Sequence, residues 1–369
     1  MKYYIIAGEA SGDLHAANLI KELKRKDSYA EIRAWGGDLM QDQGANLVKH
    51  YRDLAFMGFS EVVSNLPTIL KNFRLCKTDI IKWKPDLVIL VDYPGFNLRI
   101  AKFAHQNNFK VVYYISPQIW AWKKSRVYDI KKYVDKMLVI LPFEKDFYAK
   151  YDFQVEFVGH PLLDALPTEL NDEISFRNEN GLSDKPIIAL LPGSRKQEIE
   201  KMLKTMLSIT DYFPDYQFVI AGAPSIEKSF YLKIIADKKA MLVMNKTQKL
   251  LLASKAALVT SGTATLETAL LNIPEVVCYK GSQISYQIAR RIIDIPYISL
   301  VNLIMNKEVV KELIQNDLNI YNLKNELNNI LTIEEYTSRI LADYGLLKSK
   351  LGEGGASEKA AQLIIQFLK

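Results

Sequence analysis

The sequence predicts an α/β protein with two domains, each built around a parallel sheet. Short apolar runs rich in β-branched residues alternate with amphipathic stretches along the chain, which is the pattern of βαβ units. These runs are continuously apolar rather than alternating, as is typical of parallel strands covered on both faces. At 369 residues, the chain has room for two domains of the common size of about 150 residues.

The strand candidates form two sets. In the first half of the chain they are residues 3–7, 32–35, 87–91, 111–115, 137–140 and 155–158, and in the second half residues 187–191, 218–221, 257–260 and 276–279. Between several of these strands lie segments whose apolar residues recur at helical intervals, as at Leu14, Leu19, Ile20 and Leu23.

The domain boundary is expected between the two sets. Residues 159–186 contain Pro161 and Pro167 but no clear strand. We therefore expect an N-terminal Rossmann-like domain over residues 1–165 and a C-terminal one over residues 166–345. Residues 346–369 are predicted to form a C-terminal helix.

Composition limits the functional classes. The chain has 48 Lys and Arg against 42 Asp and Glu, a formal net charge of +6, and only two cysteines. A disulfide scaffold is disfavoured, and the modest charge without a recognition motif argues against nucleic acid binding. We expect no secretory signal peptide, and no apolar run approaches the ~18 residues that span a bilayer.

The first strand candidate leads into a glycine-containing turn. Its sequence GEASGD, residues 8–13, contains Gly8, Glu9, Ser11, Gly12 and Asp13. Such a turn at a helix start suits an anion or sugar hydroxyls. It is not G-x-G-x-x-G, so a dinucleotide site is disfavoured. The alternative is a simple turn in which Ser11 or Asp13 caps the helix.

A carboxylate follows the strand candidate at residues 87–91. Asp92 begins the segment DYPGFN, residues 92–97. Ligands bind at this end of the strands in open α/β sheets, and a shielded carboxylate there could serve as a general base. A capping or turn aspartate is the competing interpretation.

Two tryptophans follow the strand candidate at residues 111–115. Trp120 and Trp122 lie beside Lys123, Lys124 and Arg126. They could face an acyl chain or a membrane interface. They could equally be core aromatics with a basic, solvated rim.

The second set of strands is followed by two candidate phosphate-binding turns. Arg195 ends the segment LPGSR at the start of a helix, where it could neutralise a diphosphate or form a surface ion pair. The segment SGTATLE, residues 261–267, contains many small and hydroxylated residues, and Glu267 could hold a ribose diol. No protein-bound metal is predicted, because His, Cys and acidic residues lack ligand spacing.

These motifs, in this order, resemble the lipid-A-disaccharide synthases, the inverting glycosyltransferases of lipid A biosynthesis in Gram-negative bacteria. The matching segments are GEASGD at 8–13, MGFSEV at 57–62, DYPGFN at 92–97, SPQIWAW at 116–122, LPFEK at 141–145, GHP at 159–161, LPGSR at 191–195, SGTATLE at 261–267, SLVNL at 299–303 and VKELIQ at 310–315. Gly95 and Ala10 depart from some relatives without removing a proposed catalytic group.

The resemblance implies a glycosyltransferase B-type fold, with two Rossmann-like domains facing across a cleft and the C-terminal helices crossing back to the first domain. The first domain would bind the acceptor lipid and the second the UDP-sugar. The implied reaction transfers 2,3-diacylglucosamine from UDP-2,3-diacylglucosamine to the 6-hydroxyl of lipid X (2,3-diacylglucosamine 1-phosphate). The products would be the β(1→6) tetraacyl disaccharide 1-phosphate and UDP, and no cofactor is implied.

The resemblance also implies roles for individual residues. Asp92 would be the catalytic base, with the contribution of Glu9 and Asp13 left open. The substrate-binding candidates are Ser11, Gly12, Asn97, Trp120, Arg195, Ser261, Gly262, Thr263, Thr265, Glu267, Asn302 and Gln315.

Both implied substrates are lipids, so we expect a cytoplasmic enzyme peripherally associated with the inner membrane. Met57, Phe59, Val62, Val63, Leu66 and Ile69 could form its apolar membrane patch, although helical spacing is also typical of core residues. A homodimer is a candidate assembly. The alternatives are an isomerase like UDP-N-acetylglucosamine 2-epimerase and a non-catalytic protein that binds nucleotide sugars or lipids.

Overall fold

The computed structural model describes residues 1–53, 66–167, 172–282, 286 and 295–369. The chain divides into two compact units. Unit 1 comprises residues 1–164 and 351–369, and unit 2 comprises residues 165–350.

Unit 1 is built on a seven-stranded parallel sheet in the order β3-β2-β1-β4-β5-β6-β7. Its strands are β1 (Lys2–Ala7), β2 (Glu31–Gly36), β3 (Asn46–His50), β4 (Leu87–Val91), β5 (Lys110–Tyr114), β6 (Lys136–Val139) and β7 (Glu156–Phe157). Its helices are α1 (Ala10–Lys26), α2 (Asp38–Asp42), α3 (Leu66–Trp83), α4 (Pro94–Gln106), α5 (Ile119–Trp122), α6 (Arg126–Tyr133) and α7 (Pro142–Ala149), followed by the C-terminal helix α16 (Ala356–Leu368).

Unit 2 contains a six-stranded parallel sheet in the order β10-β9-β8-β11-β12-β13. Its strands are β8 (Ile187–Leu191), β9 (Gln217–Gly222), β10 (Ala240–Met244), β11 (Ser254–Thr260), β12 (Glu275–Tyr279) and β13 (Glu312–Ile314). Its helices are α8 (Glu173–Glu179), α9 (Lys196–Leu207), α10 (Lys228–Ile235), α11 (Thr247–Leu252), α12 (Thr263–Leu270), α13 (Leu300–Met305), α14 (Ile320–Thr332) and α15 (Glu334–Leu351), which ends where unit 1 resumes.

The structure therefore confirms an α/β fold with two parallel sheets, one in each unit. Three strands were not predicted, namely β3, β10 and β13, and all three lie at a sheet edge. An edge strand is covered less completely, so its sequence need not be a continuous apolar run. β3 contains Lys49 and His50, and Met241 in β10 is 42% exposed.

Each sheet has a point where the strand order reverses. In unit 1 this point lies between β1 and β4, whose last paired residues are Ala7 and Val91. In unit 2 it lies between β8 and β11, where Leu191 pairs with Val259. Loops that leave neighbouring strands at such a point form the usual ligand crevice of an open α/β sheet.

Buried polar groups link the layers of unit 1. The Tyr4 hydroxyl accepts a hydrogen bond from Trp35 Nε1 at 2.8 Å and donates one to Asp79 at 2.8 Å. Arg33 in β2 forms an ion pair with Asp79 at 2.7 Å. Because these partners satisfy one another, the polar atoms stabilise the packing of α3 on β1 and β2.

Helix α16 packs against α1 within unit 1. The Asp164 carboxylate accepts hydrogen bonds from the backbone amides of Gly355, Ala356 and Ser357 at 2.6, 3.3 and 3.0 Å. The His160 amide donates to the Leu351 carbonyl at 3.2 Å. A carboxylate at a helix N-terminus satisfies amides that lack partners within the helix, so Asp164 anchors the final helix.

Among the described residues, no helix is long and apolar enough to cross a bilayer.

Candidate active site

The backbone of Asp92 is held in an unusual conformation at the end of β4. Asp92 and Tyr93 have φ values of 44° and 49°, a region that side-chain-bearing residues rarely adopt. Three groups hold the strained turn in place. The Asp92 amide donates to the Tyr114 carbonyl at 3.2 Å, and its carbonyl accepts from Asn97 Nδ2 at 2.7 Å and from the Tyr113 hydroxyl at 2.5 Å. A strained backbone conformation that several hydrogen bonds hold in place is typical of functional sites.

The Asp92 carboxyl group is suited to accept a proton near neutral pH. Burial raises its pKa to about 6, the nearby charge of Glu9 adds to the rise, and the Tyr93 backbone amide opposes it. A general base is most effective when its pKa is near the working pH. The competing interpretation, a plain capping aspartate, is not supported, because the N-cap residue of α4 is Tyr93.

Gly8 and Glu9 lie beside Asp92 at the switch point of unit 1. A Cβ atom at Gly8 would come within 2.3 Å of the Tyr93 ring, so only glycine fits there. Glu9 is the N-cap residue of α1, makes no side-chain capping bond and is partly exposed. Its carboxylate is therefore available at the edge where Asp92 lies.

Neither Ser11 nor Asp13 caps helix α1, as the alternative interpretation of this turn would require. Ser11 is exposed inside α1, and Gly12 is buried with its hypothetical Cβ 3.3 Å from the Ala7 Cβ. The interpretation that Ser11 or Asp13 caps α1 is therefore wrong. Asp13 instead accepts hydrogen bonds from the amides of Gly37, Leu39 and Met40 at 2.7, 3.2 and 3.2 Å, at the start of α2.

Asn97 is fully buried under the strand ends. Besides the Asp92 carbonyl, its Nδ2 contacts the Val91 carbonyl at 3.2 Å and the Ile6 carbonyl at 3.4 Å. It therefore connects β1, β4 and the first turn of α4. This geometry places Asn97 as a support for the Asp92 backbone.

The two tryptophans have different environments, which resolves the choice between core and surface. Trp120 is 7% exposed and makes an edge-to-face contact with Phe143 at 4.9 Å between ring centroids. Trp122 is 44% exposed. Trp120 is a core aromatic, whereas Trp122 presents its ring at the surface.

Glu144, which the sequence did not single out, supports the segment that contains Trp120. It is 1% exposed and accepts hydrogen bonds from the amides of Leu141 and Ile140 at 2.9 and 3.3 Å. Burial raises its pKa to about 7, and these amides together with Ser116 and Trp120 oppose the rise. Its place one turn inside α7, after Pro142, is the sequence signal that could have identified a capping carboxylate.

In unit 2, Arg195 lies where β8 leads into α9. It is exposed, is the N-cap residue of α9 and forms no ion pair with any residue that the structure describes. Gly193 has a φ of +106°, and a Cβ there would lie 2.1 Å from Glu198 Oε2. That Glu198 oxygen accepts a hydrogen bond from the Ser194 amide at 3.2 Å. Arg195 is thus a cation at a helix N-terminus without an ion-pair partner in the described part of the chain.

The turn after β11 lies next to this loop, because β8 and β11 are neighbours. Gly262 begins α12 with open space where its Cβ would be, and Thr263 is exposed. The Ser261 hydroxyl donates to the Ile298 carbonyl at 3.0 Å, and the Thr265 hydroxyl donates to the Gly262 carbonyl at 2.8 Å. These two side chains shape the turn, while the start of α12 stays open to a ligand.

Glu267 lies one turn into α12 and has a partner that sequence reasoning missed. Gln248 Nε2, from α11, donates to Glu267 Oε1 at 2.9 Å and to the Ala165 carbonyl at 3.2 Å. Burial raises the pKa of Glu267, and the Gln248 hydrogen bond opposes the rise. Nothing in the local sequence of Gln248 indicates this contact, since it depends on the packing of two helices.

Asn302 and Gln315 have opposite environments. Asn302 is fully buried, with Nδ2 donating to Val310 and Glu312 and Oδ1 accepting from the amides of Val309 and Val310. Gln315 follows β13 with a φ of 54°, and its buried Nε2 has no hydrogen-bond partner within the described part of the chain. Gln315 can therefore still donate to a ligand, whereas Asn302 holds its own loop together.

Some predictions lie outside the described residues. They include the segment 57–62 and most of the proposed apolar patch. Ile69 is described, and it packs against the core of unit 1. Within the described ranges, no group of three His, Cys, Asp or Glu side chains could hold a metal ion, and the prediction of a metal-independent enzyme remains a prediction.

Comparison with solved structures identifies the fold. UDP-N-acetylglucosamine 2-epimerase from Neisseria meningitidis, bound to UDP-GlcNAc, matches with a TM-score of 0.68 at 13% identity over 99% of this chain and 100% of that chain. The glycotransferase of kitacinnamycin matches with a TM-score of 0.68 at 11% identity over 100% of this chain and 99% of that chain. The fold is therefore the glycosyltransferase B type, shared by transferases and epimerases.

Comparison of sequences identifies the family. The chain matches the family model described as lipid-A-disaccharide synthetase over residues 3–365. It is 39% identical to the lipid-A-disaccharide synthase of Syntrophus aciditrophicus over 99% of this chain and 97% of that protein. It is 36% identical to the synthase of Geobacter sulfurreducens over 99% of this chain and 96% of that protein. This chain belongs to the lipid-A-disaccharide synthase family.

Proposed function

We propose that the chain transfers 2,3-diacylglucosamine from UDP-2,3-diacylglucosamine to the 6-hydroxyl of lipid X, with inversion at the anomeric carbon. As a member of this family, the chain is a glycosyltransferase of lipid A biosynthesis. The products of the proposed reaction are the β(1→6)-linked tetraacyl disaccharide 1-phosphate and UDP. In this proposal, unit 1 binds the acceptor lipid and unit 2 binds the UDP-sugar.

Asp92 is the observation that carries the proposed mechanism. Its raised pKa of about 6 leaves it ionised at neutral pH yet basic enough to take a proton from the acceptor hydroxyl. The hydroxyl oxygen then attacks the anomeric carbon as the bond to UDP breaks, which inverts the configuration. Glu9 lies nearby, and its negative charge makes Asp92 a stronger base.

Asp13 is assigned a supporting role in this mechanism. Both of its carboxylate oxygens accept backbone hydrogen bonds at the start of α2, so they are already engaged within unit 1. Asn97 and Trp120, both buried, likewise support the site, while Ser11 and Gly12 line the turn that would contact the acceptor.

Four features of unit 2 support a UDP-sugar site. Arg195 carries a positive charge without an ion-pair partner in the described ranges, and the start of α12 presents Gly262 and Thr263 without obstruction. Helix N-termini and Arg can together stabilise the negative charge of a departing diphosphate. Glu267, held by Gln248, would accept hydrogen bonds from the ribose hydroxyls, and the Gln315 amide would donate to the nucleotide.

We further propose that the enzyme works at the cytoplasmic face of the inner membrane, as a peripheral protein and as a homodimer. The membrane part of this proposal rests on the two lipid substrates of the reaction, and the homodimer is a candidate assembly. Flotation with vesicles that contain lipid X, and light scattering of the protein in detergent, measure these two properties.

The test of the reaction is a detergent assay with UDP-2,3-diacylglucosamine and lipid X, followed by mass spectrometry, with EDTA in a parallel tube. We expect disaccharide 1-phosphate and UDP in both tubes. The Asp92→Asn variant should bind UDP as the wild type does and lose at least about 100-fold in kcat, since general base catalysis contributes ~10²–10⁴-fold.

Two results would contradict the proposal. An Asp92→Asn enzyme that turns over like the wild type would remove Asp92 from the mechanism. A wild type that makes no disaccharide with any acyl length, but epimerises UDP-N-acetylglucosamine, would instead assign the isomerase activity.

A further inference from the structure

Arg126 is a partly buried cation at the surface of unit 1. Its guanidinium carbon lies 5.3 Å from the centroid of the Trp122 ring, and Lys123 Nζ lies 5.1 Å from the same ring. Within the described ranges, neither residue forms an ion pair. Two positive charges therefore flank one exposed indole, and no described carboxylate forms an ion pair with either of them.

The indole orients these cations for a ligand. A cation stacked on an aromatic face gains modest stability and loses freedom of movement. Trp122 is 44% exposed, so the cations beside it remain open to solvent. A guanidinium held in this way presents a planar array of donors that matches the oxygens of a phosphate group.

The position of Arg126 relates it to the proposed base. Burial raises the pKa of Tyr113, the charges of Asp92 and Tyr148 raise it further, and the charge of Arg126 lowers it. Strand topology gives the same placement, because Trp122, Lys123 and Arg126 follow the carboxyl end of β5, where Tyr114 pairs with Val91 just before Asp92. Trp120, in the same segment, contacts Phe143 after the carboxyl end of β6. The cluster therefore lies at the same edge of the unit 1 sheet as Asp92.

We propose that Arg126 and Lys123, backed by Trp122, bind the 1-phosphate of the acceptor lipid. This inference rests on the proposed function, in which the acceptor is a sugar with a phosphate at one end and the reacting 6-hydroxyl at the other. Holding the phosphate determines which end of the sugar approaches Asp92. The site thereby selects a phosphorylated acceptor over the same diacylglucosamine without the phosphate.

The experiment compares two acceptors in detergent micelles: lipid X, and the same lipid with a 1-O-methyl group in place of the phosphate. The variants are Arg126→Gln, Arg126→Lys and Lys123→Gln. Lys21→Gln is the control, because Lys21 is exposed on α1 of the same unit and loses the same charge.

With lipid X, Arg126→Gln should raise the acceptor KM by about 10- to 100-fold, the effect of losing charge-assisted hydrogen bonds. The kcat and the KM for the UDP-sugar should stay within about twofold of the wild type. Arg126→Lys should recover part of the loss, and Lys21→Gln should lose nothing. With the methylated acceptor, the wild type and Arg126→Gln should have the same KM.

An equal effect of Arg126→Gln on both acceptors, or no effect on either, would overturn the inference. Binding of lipid X without donor, measured by calorimetry, separates the inference from the reaction. Arg126-dependent binding by an enzyme that forms no disaccharide would refute the proposed function and leave the phosphate site standing.

A phospholipid headgroup offers similar phosphate chemistry, so a vesicle experiment distinguishes the two sources. Vesicles of phosphatidylcholine with phosphatidylglycerol are mixed with the wild type and with Arg126→Gln. Unchanged vesicle binding beside a raised KM for lipid X supports the acceptor site. Weakened vesicle binding with an unchanged KM would assign the cations to the membrane surface and overturn the proposal.

Discussion

The hydroxyl of Tyr113 donates a hydrogen bond of 2.5 Å to the main-chain carbonyl of Asp92. Tyr113 belongs to β5 and is fully buried, whereas Asp92 follows the neighbouring strand β4. The contact therefore uses a core residue of one strand to hold the backbone from which the proposed base projects.

Tyr113→Phe removes this hydrogen bond and leaves the Asp92 carbonyl with Asn97 as its side-chain partner. We expect a fall in stability of about 0.5–1.5 kcal/mol, the net contribution of one hydrogen bond, because Asn97 still donates to the carbonyl. We expect kcat to fall about tenfold with little change in either KM, because the base moves while substrate contacts remain. Chemical denaturation and steady-state kinetics measure these two effects.

Tyr114→Phe is the matched control for that variant. Tyr114 lies next in β5, and its buried hydroxyl has no hydrogen-bond partner among the described residues. Removing this hydroxyl from the same strand should leave kcat unchanged. Equal losses of kcat in the two variants would show that Tyr113 acts on general stability alone.

The pH dependence of activity should follow the ionisation of Asp92. Since the pKa of Asp92 is about 6, kcat/KM for the acceptor should fall as the pH decreases through about 6. The nearby charge of Glu9 contributes to the raised pKa, so Glu9→Gln should shift the acidic limb to lower pH. A limb that stays in place in Glu9→Gln would contradict this electrostatic coupling.

The same raised pKa predicts that Asp92→Asn is more stable than the wild type. The folded-state pKa of about 6 lies above the ordinary value of 3.8, so between these values the folded state binds more protons than the unfolded state. Wild-type stability should therefore fall as the pH rises from about 4 to 6, and the deficit should persist above 6. Thermal unfolding of the wild type and of Asp92→Asn at pH 4, 6 and 8 measures the difference in stability between the two proteins. A difference that does not grow between pH 4 and 6 would contradict the raised pKa.

Gly193→Ala should impair the donor site of unit 2. The φ of +106° disfavours any side chain, and the new Cβ would overlap the Glu198 carboxylate. We expect a loss of stability and a rise of about tenfold in the KM for the UDP-sugar, with the acceptor KM unchanged, because the Ser194–Arg195 loop must move.

Gly345→Ala is the control for that substitution, since Gly345 lies within α15 with open space around its hypothetical Cβ. It should gain about 0.5–1 kcal/mol, as a glycine in a helix interior usually does on replacement by alanine. If Gly193→Ala behaved like Gly345→Ala, the proposed role of the loop would be wrong.

Much of the site followed from local sequence because it lies in turns after strands. Asp92, Arg195 and the segment 261–267 each follow a continuous apolar run, and that position alone predicts the ligand edge of a parallel sheet. The order of these segments also carried the resemblance that the family comparison confirms. Apolar runs did not reveal the edge strands β3, β10 and β13. An edge strand pairs with only one neighbour and is less buried, so its sequence need not be continuously apolar.

Side-chain partners could not be obtained in the same way. The sequence left Trp120 and Trp122 equivalent, although one is buried against Phe143 and the other is exposed beside Arg126. It offered no sign that Gln248 holds Glu267 or that Glu144 supports the Trp120 segment. It placed Asn302 and Gln315 together as ligands, although Asn302 is saturated by its own loop.

The sequence by itself determined the two parallel sheets, the family and the turns that carry the chemistry, because apolar runs and short motifs act within a few residues of the chain. Tertiary structure alone decided which of those residues are available to a substrate. The raised pKa of Asp92, the amide contacts of Asp13 and the hydrogen bond from Gln248 to Glu267 all depend on groups distant in sequence. Burial and hydrogen bonding between such groups arise only when the elements pack together.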